Sequence, residues 1–117
     1  MGIIAEQWVI DEGVHLTVHR ATGLRRLTGL IARGALPAAM AIRFERCRSV
    51  HGFGMTRPLD VVFIGPGGAV TSVRRLAPWR VVGDHSAIEA FELRSGEALR
   101  IGIAAGSQLN QLIEGEQ

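Results

Sequence analysis

The sequence predicts a mainly β domain, an antiparallel sandwich or barrel with one amphipathic helix packed on its side. Three observations predict it: short strand-like segments recur at regular spacing, glycine-rich turns separate them, and one longer segment has helical periodicity. By content this is α+β with strands dominant. A chain of 117 residues is expected to form a single domain over residues 1–117, because single domains typically have about 100–150 residues.

The first third of the chain predicts a hairpin followed by the helix. Residues 8–10 form a short strand, and the next strand alternates apolar Val14, Leu16 and Val18 with polar side chains. Beyond it, leucines and an isoleucine recur at the helical period over about residues 23–33. Arginines occupy the opposite face of this helix, at Arg25, Arg26 and Arg33.

The most informative stretch runs over residues 47–64 and ends in a strand that is apolar on both faces, residues 59–64. Such a run, rich in β-branched and aromatic residues, predicts the central strand of a sheet. Pro58 belongs at its entrance because proline cannot donate to a strand ladder, and the turn at residues 65–68 closes it. Gly52 and Gly54 predict a bend or a close approach by a ligand.

The remaining segments predict strands around this centre. Residues 40–45 alternate as a strand, and residues 70–75 pair back on the central strand as a hairpin. Residues 76–82 are interrupted by Pro78, residues 87–93 form another apolar strand, and residues 95–98 begin a short helical turn. Apolar residues at 101–104, with Leu109 and Leu112, close the domain.

The charge pattern is uneven. All 13 basic residues are arginines, and residues 20–80 contain eleven of them against Glu45 and Asp60, whereas both ends are acidic. If the ends pack beside the middle, this charge is neutralised internally, so the charge does not require a nucleic-acid partner. Nucleic-acid binding through the arginine-rich middle, including Arg25, Arg26 and Arg33, is not favoured and stays only a further alternative. Few exposed aromatic residues are expected, which counts against the stacking of single strands.

The sequence contains no stretch of the roughly 20 apolar residues that a membrane helix needs. Residues 1–11 lack the basic start and apolar centre of a signal peptide, so a cytoplasmic protein without a membrane span is expected. The single cysteine, Cys47, permits no internal disulfide. We expect a monomer or a weak dimer.

Five segments in succession resemble the family called domain of unknown function 192. They are residues 23–33, 47–64, 76–80, 91–96 and 102–106, and the match covers roughly residues 14–112. The resemblance implies a jelly-roll-like sandwich, and many members are exported or membrane-anchored. It implies no reaction, since no activity is established for the family. This chain has Gly52 or Gly54 where members commonly carry a bulkier residue.

The leading interpretation is a non-catalytic β-sandwich module that binds a small ligand or a protein partner. An Asp60 carboxylate on an apolar strand needs a partner, which Arg57 or Arg80 can supply as an ion pair. The functional alternative is an anion or sugar subsite, with Trp79 as a stacking wall and Arg80 as a donor. The predicted ligand-binding residues share this neighbourhood: His51, Met55, Arg57, Asp60, Trp79 and Arg80.

A soft-metal site is the alternative, because Cys47, His51 and Met55 are ligand types that suit copper or zinc. On one extended strand, four residues span about 13 Å, so Cys47, His51 and Met55 share a metal only if the glycines fold the segment back. The sequence predicts no cofactor and favours no catalytic role. A Cys47, His51 and Asp60 triad would rest on three common residue types without a catalytic motif.

Overall fold

The computed structural model describes residues 5–21 and 36–112. The helix predicted over residues 23–33, and with it Arg25, Arg26 and Arg33, lies outside the described residues. Within the described part the chain is mainly β, with nine strands, one short α-helix, α1 (Glu97–Ile101), and one 3₁₀ turn (Pro66–Gly68). The strands are β1 (Ala5–Ile10), β2 (Val14–Arg20), β3 (Met40–Glu45), β4 (Ser49–His51), β5 (Leu59–Ile64), β6 (Val70–Leu76), β7 (Val81–Gly83), β8 (Glu89–Arg94) and β9 (Leu109–Leu112).

Seven strands form one sheet in the order β6-β5-β8-β3-β2-β1-β9, and β4 pairs with β7 in a separate two-stranded sheet. The hairpins β1–β2 and β5–β6 are antiparallel, as predicted. The pair β2–β3 is parallel, which corrects the expectation of a wholly antiparallel fold. A parallel neighbour requires a long connection between the two strands, and here residues 21–39 make it.

The large sheet curls until its two edges approach each other at one end. Ala69, before β6, pairs with Gln108, before β9. The Val70 N–H donates to the Ser107 carbonyl at 2.8 Å, and the Gly106 N–H donates to the Val70 carbonyl at 2.9 Å. The sheet is therefore a half-barrel. The mainly β class is confirmed, and the jelly-roll arrangement is not.

Strand β5 lies between β6 and β8 and is packed on both faces, which confirms the predicted central strand. Val62 and Ile64 point into the inner core of the curled sheet, where Trp8 and Phe91 meet edge to face at 5.1 Å. Leu59, Val61 and Phe63 point outward into a second core. Two hydrophobic cores thus share one strand, as the run of apolar residues on both faces requires.

The outer core is covered by an outer layer, which consists of the β4–β7 sheet and the loops that leave it. Val50 and Val82 face inward from this layer, and Met55 is buried beneath it. Because side chains alternate along a strand, the neighbours of Val50 and Val82 in β4 and β7 face solvent. The outer layer therefore has one face in the core and one face available to a ligand.

None of the described helices is long and apolar enough to cross a membrane.

Candidate ligand-binding surface

Two tight turns lie side by side at one end of the outer layer. Residues 52–55 form one turn, closed by a 3.2 Å bond from the Met55 N–H to the Gly52 carbonyl. Residues 77–80 form the other, closed by a 3.2 Å bond from the Arg80 N–H to the Ala77 carbonyl. The Gly52 carbonyl also accepts the Trp79 N–H at 2.8 Å, and the Gly52 N–H donates to the Arg80 carbonyl at 2.8 Å. Backbone bonds thus hold the two turns together.

Two residues in these turns have special steric requirements, one in its packing and one in its backbone conformation. A Cβ at Gly52 would lie 2.8 Å from the Ala77 carbonyl oxygen, so only glycine permits this contact without a shift. Trp79 has a φ of 66° at the third position of its turn, where glycine normally supplies the left-handed conformation. A bulky residue pays about 1–2 kcal/mol for that conformation. Strain of this kind is typical of functional sites.

The aromatic face consists of His51, Phe53, Trp79 and Val81. The His51 and Phe53 rings stack with centroids 4.6 Å apart, and the Phe53 and Trp79 rings follow at 6.1 Å. Interplanar angles of 29° and 25° make this one row of rings. Phe53 is 55% exposed and Trp79 67% exposed. Val81 pairs with His51 across β4 and β7 and is also exposed.

The orientation of His51 is set by the neighbouring turn. Its Nδ1 accepts the Phe53 N–H at 3.3 Å. In the neutral ring this bond places the proton on Nε2, so that nitrogen is the donor a ligand meets. The same bond ties the imidazole to the backbone of the residue on which it stacks.

The segment that carries the aromatic face is rich in positive charge. Residues 46–86 contain six arginines, all exposed, and two acidic residues. Asp84 already accepts the Ser72 and Thr71 hydroxyls at 2.5 and 2.7 Å, and these bonds lower its pKa. Asp60 points to the inner face. The exposed arginines are Arg46, Arg48, Arg57, Arg74, Arg75 and Arg80, of which Arg75 lies opposite Asp60 and so extends from the inner side of β6.

The structure brings some of the predicted site residues together and separates others. Trp79, Arg80 and His51 meet at the paired turns, and Arg57 is exposed just beyond the first turn. Met55 is only 4% exposed and belongs to the outer core. Asp60 lies on the other side of β5, where its Oδ2 accepts the Ala98 N–H of α1 at 2.9 Å. The described contacts of Asp60 do not include the expected ion pair with Arg57 or Arg80.

The residues of the soft-metal alternative have separate partners. The Cys47 thiol is half-buried and its Sγ lies 3.2 Å from the Ser49 carbonyl oxygen, while burial raises its pKa. His51 belongs to the stacked row and Met55 to the core. Within residues 5–21 and 36–112, no group of three His, Cys, Asp or Glu side chains is arranged to hold a metal. Asp60 points into the inner core and is therefore separated from His51. The Cys47, His51 and Asp60 side chains do not come together as a triad.

A groove of about 400 Å³ lies at the ends of β2 and β3, and two of the three arginines that line it, Arg20 and Arg43, are already paired. Arg43, in its wall, donates from Nε to Glu89 Oε1 at 2.6 Å and from Nη1 to Glu6 Oε1 at 3.1 Å. Arg20 donates to the second oxygen of Glu6 at 2.7 Å. These contacts stabilise the end of the half-barrel, so the groove offers a ligand fewer free donors than the aromatic face.

Sequence reasoning missed two residues. Phe53, at the centre of the stacked row, was not among the predicted ligand-binding residues, and the available signal was an aromatic residue between two glycines. Glu92 is 2% exposed in the outer core, and its Oε1 has no hydrogen-bond partner among the described residues. Burial raises the pKa of Glu92 to about 7. The signal here was a glutamate inside an apolar strand.

The fold and this surface define a class of protein: a small mainly β domain with a half-barrel sheet and an exposed aromatic face. The chain belongs to the domain of unknown function 192 family, described as uncharacterized ACR, whose sequence profile matches residues 9–111. The resemblance noted in the sequence is thereby confirmed. No curated protein matches the chain significantly.

Two crystal structures share the fold. One is a proposed transcription regulator from Sinorhizobium meliloti 1021, with a TM-score of 0.77, 21% identity, and coverage of 95% of this chain and 96% of that one. The other is a protein of unknown function from Novosphingobium aromaticivorans DSM 12444, with a TM-score of 0.72 and 19% identity over 92% of this chain and 84% of that one. At these identities the similarity establishes the fold alone.

Proposed function

We propose that this domain is a non-catalytic binding module that holds a ring-bearing anion on its aromatic face. The observation that carries the proposal is Trp79. Its indole is 67% exposed although its backbone occupies a strained left-handed conformation. Folding alone gains little from an exposed indole on a strained turn, whereas a ligand gains a rigid stacking surface.

The ligand class follows from the two chemistries that meet here. The row of rings offers flat apolar surface, which favours a sugar ring or another flat ring. The exposed Arg80, next to Trp79, and Arg57 offer guanidinium donors that match carboxylate and phosphate groups. Acidic sugars and nucleotides carry both features, so they are the chemical class that the surface fits.

The non-catalytic part of the proposal rests on the separation of the chemically capable residues. Cys47 is a half-buried thiol with a raised pKa, and Asp60 faces the other side of β5 from His51. A nucleophile needs its base within hydrogen-bond reach. The described residues around the aromatic face instead combine stacking and charge, which serve binding.

The test is a titration followed by the two indole N–H signals in nitrogen-15 NMR spectra. Trp79 reports on the aromatic face, and Trp8, 5% exposed in the inner core, is an internal reference. Glucuronate and a nucleoside monophosphate are the ring-bearing anions, with glucose and inorganic phosphate as single-feature controls. We expect a ring-bearing anion to move the Trp79 signal and leave Trp8 in place.

Two variants test whether the shifts come from binding at Trp79. Trp79→Ala should abolish the saturable shifts of neighbouring amides, whereas Leu99→Ala, at a leucine that is 88% exposed on α1, should leave them unchanged. If neither ring-bearing anion moves the Trp79 signal further than glucose or phosphate does, the proposal is wrong.

A further inference from the structure

The row of rings on the aromatic face can be continued by a ligand that carries several flat rings. His51, Phe53 and Trp79 form a row of three rings with centroid steps of 4.6 and 6.1 Å. Because the three rings stack on one another, a single ligand ring lies on an end of the row or against its exposed edge. A chain of flat rings continues the row beyond that end, because each further ring stacks on the one before it.

The arginines are also distributed along the outer layer and not gathered at one point. Arg48 precedes β4 at one end of the small sheet, whereas Arg80 lies in the turn beside Gly52 at the other. Gly52 lies four positions after Arg48, which in extended chain is a span of about 13 Å. Arg57 and Arg74 extend the positive surface. The acidic residue closest in sequence to this layer is Asp84, and its carboxylate already accepts hydrogen bonds from the Ser72 and Thr71 hydroxyls. A polyanion fits such a charge distribution better than a single anion does.

We infer that the occupant of the aromatic face is a single-stranded nucleic acid, whose bases stack on the His51, Phe53 and Trp79 row while arginines contact its phosphates. This inference rests on the proposed function and names its ligand. Single strands expose the faces of their bases, and stacking tolerates any sequence because every base has a flat face. A duplex hides those faces, so duplex binding would leave the exposed rings without a role. An acidic protein would pair with the arginines but would not explain the row of rings.

The test measures fluorescence anisotropy of a labelled oligothymidylate of about 15 nucleotides, a length within the site size of single-strand binding domains. A duplex of the same length and a heparin fragment of matched charge compete for the protein. We expect the single strand to bind, the duplex to compete weakly, and the logarithm of affinity to fall linearly with the logarithm of salt concentration.

The variants separate stacking from charge. Trp79→Ala and Phe53→Ala should each weaken single-strand binding about tenfold or more, with Leu99→Ala as the control for an exposed apolar side chain. Arg57→Ala and Arg80→Ala should weaken binding to every polyanion and lower the salt slope by about one each. Arg75→Ala is the matched control, because Arg75 pairs with Asp60 in the sheet register and so extends from the inner side of β6.

Two outcomes overturn the inference. If heparin binds as tightly as the single strand and Trp79→Ala changes neither affinity, the surface recognises charge alone. If a nucleoside monophosphate moves the Trp79 indole signal but the oligothymidylate binds no more tightly than that monomer, the ligand is a small molecule. In the second case the proposed function stands and only its extension to nucleic acid fails.

Discussion

The Gly52 carbonyl accepts the backbone N–H of Trp79 at 2.8 Å, and this bond joins the two turns that carry the aromatic face. The partner bond from the Gly52 N–H to the Arg80 carbonyl, also 2.8 Å, makes the junction resemble a short piece of antiparallel ladder. The row of exposed rings is therefore built on backbone hydrogen bonds, and its geometry does not depend on the rings holding one another in place.

A methyl group at position 52 should break this junction. In Gly52→Ala the new Cβ lies 2.8 Å from the Ala77 carbonyl oxygen and 3.3 Å from Leu76 Cγ, and both belong to packed structure. We expect a loss of about 1–3 kcal/mol in the free energy of unfolding, the usual cost of overpacking. Chemical denaturation measures it. Gly13→Ala is the control, since nothing lies within 4 Å of a Cβ there, and equal losses in the two variants would contradict the account.

Substitutions at Trp79 should separate binding from backbone strain. Trp79→Ala and Trp79→Gly both remove the ring, so both should lose ligand binding. The glycine variant should be more stable than the alanine variant by about 1 kcal/mol, because glycine adopts a φ of 66° without the penalty of a Cβ. Thermal and denaturant unfolding of the two variants compare them directly. Equal stability would mean that the turn relaxes once the indole is gone.

The predictable parts of the fold are those with local signals. The bounds of β5 follow from an apolar run between Pro58 and Gly65, and the β1–β2 hairpin follows from alternation on either side of a polar turn. The strands β4 and β7 have three residues each, too few to show a period. The parallel pairing of β2 with β3 depends on the path of the chain between them, which no local pattern specifies.

The sequence indicated the types of residue in the candidate site better than it indicated where those residues lie in the fold. The alternation of β5 puts Asp60 on the same side as Val62 and Ile64, but the sequence does not say which side of the sheet carries the outer layer. Met55 was predicted as a ligand-binding residue, yet its thioether is apolar enough to be buried in the outer core. The sequence shows Phe53 as an aromatic residue between two glycines, but only the folded turns place it between His51 and Trp79.

Asp60 should contribute to stability and not to binding. Its carboxylate accepts the Ala98 N–H in the first turn of α1, where the N-cap residue Gly96 has no side chain to do so. Loss of a capping acceptor costs typically about 1 kcal/mol, so Asp60→Ala should lower the free energy of unfolding by that amount. Asp60→Asn keeps an acceptor oxygen and should lose less. If Asp60→Ala instead weakens binding as much as Trp79→Ala does, Asp60 belongs to the ligand site after all.

Glu97 should make the protein sensitive to acid. The Arg100 guanidinium, with the Ala39 N–H and Arg94, holds the pKa of Glu97 at about 2, against 4.5 for an ordinary glutamate. A lowered pKa means that the stabilisation is fully present above pH 4.5 and is lost as the pH falls toward 2. Because Arg94 and Arg100 are half-exposed and screened, we expect about 1–2 kcal/mol.

Unfolding of Glu97→Gln over a series of pH values checks this. The variant should be less stable than the wild type at pH 7 and approach it near pH 2. A difference that does not change with pH would show that the carboxylate acts through its shape and not through its charge.

Glu92 should produce the opposite pH dependence. Its side chain is 2% exposed, its Oε1 has no partner among the described residues, and burial raises its pKa to about 7 from 4.5. In the unfolded chain the carboxyl group ionises at the lower pKa, so between pH 4.5 and 7 the unfolded state binds fewer protons than the folded state does. Stability therefore falls as the pH rises through this window and levels off above about pH 7.

Glu92→Gln removes the ionisable group while keeping nearly the same shape, so it should abolish this fall. Relative to the wild type, the variant should gain up to about 3 kcal/mol between pH 4.5 and 8, since a tenfold change in an ionisation constant corresponds to about 1.36 kcal/mol. Glu12→Gln, at an exposed glutamate in the β1–β2 turn, is the control for the loss of one carboxyl group. If the stability difference between Glu92→Gln and the wild type is the same at pH 4 and pH 8, the carboxyl group of Glu92 is not ionising in the apolar outer core, and the account of its burial is wrong.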